Sequence, residues 1–398
     1  MEMKDRAREL VDRHAPALVA LSHRIHANPE LGFHEVQASD WICTALAAGG
    51  FQVEKGICQI PTAFAATTGS GDLTVAICAE YDALPEVGHA CGHNVIATAA
   101  VAAGLALAPL ADELGITVKV VGTPAEEGGG GKILMLDRGG FDGVDAAMMI
   151  HPSPEEEADP VCLAVSHLEV SYEGREAHAS AYPAQGINAA DALTVAQVAI
   201  GLLRQHILPS QRIHGIVTLG GAAANVVPAH TKGTFYVRAA TLAELAELEP
   251  RVRACFEAGA LATGCKLKVE SGSPPYSHFE ADQQMVELYR RNAERLGRSF
   301  PTGEDVGAPG STDMANVSLA LPSIQPMVGI ECGNSGNHQP EFAQHCIEPS
   351  ADKAALEGGL AMAWTAIDLA TDPAARARLK AERERRGAPS KAAKELGR

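Results

Sequence analysis

At 398 residues the chain is too long for one small core, and its length suggests two or three domains. With 46% hydrophobic and 20% charged residues it reads as a soluble globular protein, and a net charge of -17 argues against nucleic acid or an anionic membrane surface as general partners. Nine cysteines without paired spacings read as reduced thiols of a cytoplasmic protein, and the charged opening Met1-Glu2-Met3-Lys4-Asp5-Arg6 lacks the apolar core of a signal peptide.

Residues 4–27 have the spacing of an amphipathic helix, with Leu10, Leu18, Leu21 and Ile25 on or near one face, and Asn28-Pro29 breaks it. Residues 35–48 read as a second helix stopped by Gly49-Gly50. Residues 51–53 and 63–67 read as strands. Residues 73–79, apolar and rich in β-branched side chains, predict a buried strand. The Ala-rich run 95–108 predicts a buried helix. The apolar run to Ala111 is short for a membrane span and carries Pro109, so a core helix is expected and no membrane partner. Residues 118–121 form a further strand, which runs into Thr123-Pro124-Ala125-Glu126-Glu127 and four glycines. Residues 146–150 form another, which runs into His151-Pro152. Strands alternating with helices imply an α/β fold with a doubly wound, mostly parallel sheet.

The acidic, proline-containing stretch 152–160 reads as a linker, after which the pattern changes. Residues 164–172 alternate with the two-residue period of a half-exposed strand. A helix at 188–205, strands at 213–219 and 231–238, a helix at 242–261 and a strand at 266–270 follow. This βαββαβ order is the ferredoxin-like split unit. The domain expectation is therefore 1–162 plus 275–375 for the α/β domain, 163–274 for a domain inserted into it, and 376–398 for a charged tail. On return, residues 282–296 read as a helix, 309–314 as a loop, 322–329 as including a strand, 334–339 as a loop holding His338, and 352–370 as a last core helix. The tail from Asp372 lacks an apolar stripe and reads as a solvated helix or as disordered.

Three successive strands end in groups able to bind metal or move protons: Cys91 and His93, Glu126 and Glu127, and His151. The ends of strands in open α/β sheets are where sites are built. With His338 they make a mixed nitrogen, oxygen and sulfur set that suits zinc, manganese, cobalt or iron rather than calcium or magnesium. Five ligands exceed the needs of one structural zinc and suit two divalent ions sharing a bridging thiolate or carboxylate. Paired metals polarise a carbonyl and lower the pKa of water from about 15.7 to about 7. Of adjacent Glu126 and Glu127, one carboxylate can bind metal while the other acts as general base and returns the proton to a leaving nitrogen. Asp82 is placed to orient a ligand by a hydrogen bond. Each residue also has an ordinary explanation: a satisfied Cys-Gly-His turn, an acidic pair at a helix N-terminus, a His-Pro turn, a surface histidine. Their coincidence at three strand ends of one sheet favours the metal site.

These residues resemble the M20 family of metallo-aminoacylases and dipeptidases, in particular the amidohydrolase branch containing auxin-conjugate and aminobenzoyl-glutamate hydrolases. The matching pieces are His26-Ala-Asn-Pro-Glu-Leu-Gly-Phe-His-Glu35, Tyr81-Asp-Ala-Leu-Pro85, His89-Ala-Cys-Gly-His93, Pro124-Ala-Glu-Glu127, His178-Ala-Ser180, Asn225-Val-Val-Pro228 and His338. Most of that branch has Asp after Cys-Gly-His, where this chain has Asn94. Together with Gly310-Ser-Thr-Asp313 and Gly122-Thr-Pro-Ala-Glu-Glu127, this departure looks more like the subgroup of dipeptidases acting on β-alanyl-lysine and on dipeptides with a basic C-terminal residue. The resemblance implies Cys91, His93, Glu127, His151 and His338 as metal ligands and Glu126 as the base. It also implies a homodimer assembled through the inserted lid domain, with His178 contacting a carbonyl or oxyanion, in the family at the other subunit's site. Asn225, Arg238 and Ser311 are the candidate substrate contacts. An arginine fork matches a substrate carboxylate, and this reading of Arg238 is favoured modestly over that of a salt-bridged surface residue.

The expected activity is hydrolysis of the amide bond of a small dipeptide at a two-metal site holding zinc, manganese or cobalt. The alternatives are an N-acyl or N-aroyl amino acid amidohydrolase, a hydrolytic deaminase of a small aromatic amine and, in another class, a protein that binds metal and ligand without turnover. The presence of Glu126 argues against the last, since a binder has no need of a base there.

Overall fold

The computed structural model describes residues 2–301 and 310–386, which form two compact units, 1–161 with 279–398 and 162–278. The first stretch contains α1 (Met3–His26), α2 (Val36–Ala48), β1 (Gln52–Lys55), β2 (Phe64–Thr68), β3 (Leu73–Ala79), α3 (His93–Leu107), α4 (Ala111–Leu114), β4 (Ile116–Gly122), α5 (Gly131–Asp137), β5 (Ala146–Met148) and β6 (His151–Ser153). In α1 the buried stripe runs through Ala7, Val11, Leu18, Leu21 and Ile25, with Leu10 only half-buried beside it. Every residue of α3 is buried, as expected of a helix that is apolar on all sides beyond its first turn apart from Thr98.

The inserted unit contains β7 (Ala164–Glu173), α6 (Ala189–Leu203), β8 (Arg212–Leu219), β9 (His230–Ala239), α7 (Leu242–Thr263) and β10 (Lys266–Ser271). Its antiparallel sheet has the order β10-β7-β9-β8, the arrangement expected of a βαββαβ unit. Asn188 caps α6 by accepting from the N–H groups of Ala190 and Asp191, and Thr241 caps α7 through Glu244 N–H. Leu168, Val170, Leu193, Ile200, Phe235, Val237, Leu248 and Phe256 form the core beneath these helices. The expected alternation of β7 holds only after Leu168. Before it the strand is buried on both faces, where Val165 pairs with Tyr276 as well as with β9.

The chain then returns through α8 (Gln283–Arg295), α9 (Met314–Ala320), β11 (Ser323–Ile324), β12 (Met327–Gly329), α10 (Pro340–His345), α11 (Pro349–Thr371) and α12 (Pro373–Arg386). The main sheet has the order β1-β2-β4-β3-β5-β11; β4, β3, β5 and β11 run parallel, while β1 and β2 are antiparallel additions at one edge. One face is covered by α1, α3 and α11. The other packs Met135, Phe141, Met314 and Val317 from α5, α9 and their flanks. Helices on both faces make the sheet doubly wound. The alanines of α3 let α11 approach closely: a Cβ on Gly359 would lie 2.6 Å from the Ala99 carbonyl oxygen.

Several expectations change. The strand expected at 146–150 stops at Met148, and His151 opens a second short parallel pair, β6 with β12. Pro326, which has no N–H, separates β11 from β12. The stretch 152–160 is tied down rather than free: Glu157 pairs with Met327, and Glu156 binds Arg298 at 3.0 Å and Gly329 N–H at 2.8 Å. Helices α5, α9 and α10 were not expected; each is 7 residues or shorter, and none carries a long periodic pattern. The charged tail is an ordered helix to Arg386, anchored by buried Ala375 and Leu379 and by Arg378 and Arg383 bound to Asp282 and Asp145. Two apolar residues one turn apart suffice for docking but make too narrow a stripe to register as a pattern. Residues 387–398 of that tail, and Pro309 of the loop expected at 309–314, lie outside the described residues.

Leu379→Ala should lower the unfolding free energy by about 2–5 kcal/mol, the usual cost of emptying a buried leucine site. Urea or thermal melts check this; a solvated tail would leave the midpoint unchanged.

Candidate metal centre

The crossover from β3 to α3 carries the first donors. Cys91 ends the loop, and His93 opens the helix. Between them Gly92 has φ +76, and a Cβ there would lie 2.4 Å from Pro152 Cγ, so only glycine fits the Cys-Gly-His turn. Cys91 Sγ lies 3.4 Å from His151 Nε2. His151 Nδ1 sits 2.8 Å from the Pro152 carbonyl, which can only accept, so Nδ1 carries the hydrogen and Nε2 presents its lone pair to the site. Asp82 plays the same part for His93: its Oδ1 is 3.1 Å from Nδ1. His93 Nε2 is left facing Glu80 Oε2 at 3.5 Å, Glu127 Oε1 at 3.9 Å and Glu126 Oε2 at 4.0 Å.

The loop after β4 brings in the two glutamates. Its backbone doubles back at Ala125, whose φ is +57 and whose N–H donates to Glu35 Oε1 at 2.8 Å. Glu127 N–H donates to Asp82 Oδ2 at 2.9 Å. Gly128 and Gly130 have φ +85 and +65, and a Cβ on Gly131 would lie 1.8 Å from the Pro124 oxygen, so the glycine run is what lets this turn close. Helix α5 begins only at Gly131 and has no acidic residue in its first turn, which removes the helix-terminus explanation for Glu126 and Glu127. His338, also at positive φ, +71, is fixed by its N–H on the Ala90 carbonyl and brings Nε2 to 3.3 Å from Glu127 Oε1.

Among the described residues, three overlapping groups have donor atoms within 4.8 Å of one another: Cys91, His93 and His151; Cys91, Glu127 and His338; and Glu80, His93 and Glu126. The mixed thiolate, imidazole and carboxylate set fits first-row divalent ions. The fit is supported by His93 Nε2 and Glu80 Oε2, both buried and without a hydrogen-bond partner. Electrostatics separate the adjacent carboxylates. Burial, then Glu80, Glu127 and Asp313, push Glu126 well above the carboxylate range. Burial also opposes the Glu127 carboxylate, but His338 and His93 outweigh it and hold Glu127 below the usual range. His93 is held well above its ordinary value because Asp82, Glu80 and Glu127 overcome its burial, whereas burial lowers His151. Burial together with Glu127 and Glu126 pushes the Cys91 thiol up; a bound cation would reverse that sign.

Cys91, His93, Glu126, Glu127, His151, His338 and Asp82 therefore converge. Ser311 lies in the loop before α9, two residues from the buried Asp313. In the inserted unit, Asn225 accepts from Ala179 N–H at 2.9 Å, beside His178, which bridges to Val226. Arg238 Nε donates to His214 Nε2 at 3.2 Å, and its guanidinium lies 6.0 Å from the Tyr236 ring centre.

Sequence reasoning missed Glu35, Glu80 and Lys132. Glu35 is fully buried behind Ala125, and burial followed by Asp82 pushes its carboxyl up to about 7. Lys132 is fully buried, with Nζ 2.5 Å from Glu80 and 2.7 Å from Asp313. Burial opposes its ammonium, but Asp313 and Glu80 keep it charged. The available signals were a lone Lys after four glycines and an acid at each end of Glu80-Tyr-Asp82. Asn94 proves to be a strut: its Nδ2 donates to Ser22 Oγ at 2.9 Å and to the Cys346 carbonyl at 2.8 Å, bonds that a carboxylate cannot donate.

The model of the peptidase family M20/M25/M40 matches residues 76–365. The Xaa-Arg dipeptidase of Mus musculus is 37% identical over 391 residues, covering 94% of this chain and 90% of that protein. One of the subunits of the p-aminobenzoyl-glutamate hydrolase of Escherichia coli is 34% identical over 264 residues, covering 61% of this chain and 55% of that protein. Among solved structures, a Bacillus subtilis dinuclear metal-binding peptidase of family M20 shares the fold. Its TM-score is 0.68 at 21% identity, with 90% of this chain and 99% of that chain covered.

Asn94→Asp should destabilise the chain by about 1–3 kcal/mol, because it sets a carboxylate against the Cys346 carbonyl in a fully buried position. Chemical denaturation reads this directly; an unchanged midpoint would mean that the two donated bonds do not matter.

Proposed function

The chain belongs to the peptidase family M20/M25/M40 and is a hydrolytic enzyme, and on that premise we propose that it cleaves the amide bond of small dipeptides, with those bearing a basic C-terminal residue as the leading class. The observation that carries the proposal is the geometry of the pair Glu126 and Glu127: adjacent on one tight loop, both reach the Cys/His donor set, Glu127 Oε1 at 3.3 Å from His338 Nε2 and Glu126 Oε2 at 4.0 Å from His93 Nε2. Two adjacent carboxylates at such a set can divide metal binding from proton transfer. The basic side chain comes from similarity to the Xaa-Arg dipeptidase. The similarity to p-aminobenzoyl-glutamate hydrolase supports N-aroyl amino acids as a second class, more weakly, because it covers 61% of the chain.

Cys91, His93 and His151 would hold one divalent ion, and Cys91, Glu127 and His338 a second, with zinc, manganese and cobalt as the candidate metals. Bound there, the ions supply Lewis acidity toward the scissile carbonyl and acidify the attacking water. With the ions bound, the Glu126 carboxylate would accept a proton from the attacking water and return it to the leaving nitrogen. Asp82 keeps His93 and Glu127 aligned for this work through one bond to each residue. Asn225, Arg238 and Ser311 remain the candidate substrate contacts. No disulfide joins cysteines among the described residues, which supports a cytoplasmic setting.

The dimer is also part of the proposal. In the inserted unit β8 is the edge strand, and Ile216, Val217 and Leu219 on it are exposed, as are Val198 and Leu202 on α6. An exposed apolar edge of this kind invites pairing with a second copy. His178 is exposed, and its Nδ1 accepts from Ala181 N–H at 3.2 Å, which leaves Nε2 to carry the hydrogen and donate outward. It would donate to the oxyanion formed at the partner's site, a role worth roughly 2.7–4 kcal/mol for a single lost donor.

Glu126→Gln should retain metal and lose turnover by at least about 10²-fold on a panel of dipeptides ending in Arg or Lys. Near-normal turnover, or loss of metal instead, would exchange the roles of Glu126 and Glu127. Co-expression of His178→Ala with Glu126→Gln chains tests the dimer. A purified mixed dimer would contain one site with both defects and one with neither, so activity returns. A mixed dimer no more active than the parent dimers would rule out action across the interface.

A further inference from the structure

We infer that Glu80 is an additional protein donor to the metal pair, on the side of His93, and that buried Lys132 and Asp313 hold it there. This rests on the metal site proposed above. Glu80, Lys132 and Asp313 side chains are all fully inaccessible. Lys132 Nζ occupies Glu80 Oε1 at 2.5 Å and Asp313 Oδ1 at 2.7 Å, and Lys132 N–H donates to Asp313 Oδ2 at 2.8 Å. The clamp thus fixes one Glu80 oxygen and leaves Oε2 without a hydrogen-bond partner. That atom faces His93 Nε2 at 3.5 Å, which also lacks a hydrogen-bond partner because the bond from His93 to Asp82 uses Nδ1.

Two features turn this arrangement toward a metal. Two carboxylates against one ammonium leave a buried negative charge that, without an ion, is balanced by the adjacent His93 ring, whose Nε2 stands 3.5 Å from Glu80 Oε2; a metal would replace the proton of that ring as the cation. Two donors bound to one first-row ion at about 2.0–2.2 Å lie roughly 3.0–3.5 Å apart. Glu80 Oε2 and His93 Nε2, 3.5 Å apart and neither hydrogen-bonded, match that separation, so one ion could take both as donors in place of the proton of the His93 ring. Glu126, whose carboxylate belongs to the same group, is left for the proton. The position of Lys132 directly after the four glycines follows from this role: the turn that aims Glu126 and Glu127 also buries the Lys132 side chain under Glu80.

The test is equilibrium dialysis of the apo protein against cobalt(II) for wild type, Glu80→Gln and Asp313→Asn, with folding checked by circular dichroism of each apo chain. Asp313→Asn removes the same charge from the clamp without removing the proposed donor. The expected result is two ions bound by wild type, a loss of at least about tenfold in affinity for one of them in Glu80→Gln, and a smaller loss in Asp313→Asn. The ligand-field absorption of the cobalt protein should change in Glu80→Gln and stay as in wild type in Asp313→Asn. Equal affinity losses in both variants with unchanged spectra would mean that Glu80 acts only through its charge, and unchanged binding in Glu80→Gln would overturn the inference outright. If Glu80→Gln fails to fold, Glu80→Asp serves: it shortens the donor while keeping the charge, and normal binding by it would count against a direct contact. A wild-type chain that binds no cobalt would refute the underlying metal site, a result distinct from either of these.

Discussion

Asp82 is the constraint on which the rest of the site depends. It lies at the end of β3, in the crossover that α/β sheets use for binding. One oxygen holds the ring of His93 and the other the backbone of Glu127, so a single carboxylate ties the β3–α3 loop to the β4–α5 loop. Its orientation therefore sets both the face that His93 presents and the height of the glutamate pair. Asp82 itself is fully buried, and although burial opposes its charge, His93 and the backbone donors keep it below the usual carboxylate range. A carboxylate that is satisfied in this way is a rigid reference point rather than a group that titrates in the working range.

Around that reference the backbone is strained where function would need it. Ala125 and His338 both take left-handed φ values without being glycine, at a cost of order 1–3 kcal/mol each. Glu35 offsets the first by accepting the Ala125 N–H, and the Ala90 carbonyl offsets the second by accepting from His338. The glycines of the loop relieve further crowding at Gly131, where no side chain fits. Strain at the residue preceding Glu126 and at a donor, two of six non-glycine residues with left-handed φ among the described residues, is consistent with a preorganised site, since a relaxed backbone would turn these side chains elsewhere.

Much of this was legible in the sequence, and what was not has physical reasons. Strand β3 and its following Cys-Gly-His turn stand out because an apolar β-branched run meets metal-type donors at a strand end. The βαββαβ order of the inserted unit is legible from alternating periods. By contrast, β5 reads two residues too long and β6 reads as the start of a linker, because a break made by Pro326 on the partner strand leaves no mark on residues 146–150 themselves. That helix α12 docks, rather than being solvated or disordered, was missed because long charged side chains flank its two buried anchors. Lys132, Glu80 and Glu35 were missed for another reason. Buried charges are recognised by their partners, and these partners are distant in sequence: Lys132 meets Asp313 and Glu35 meets Ala125 only in the folded chain. Asn94 stood out as a departure from the resembled pattern, but its meaning, two donated bonds tying α3 to α1 and to Cys346, required the fold.

Anomalous X-ray diffraction from crystals of the cobalt- or zinc-loaded protein tests the central claim most directly, because it locates metal without reference to activity. The account predicts two peaks within bonding distance of these side chains, one against His93 and His151 and one against Glu127 and His338, with Cys91 Sγ between them. A single peak away from Cys91, or none in this cluster, would contradict it.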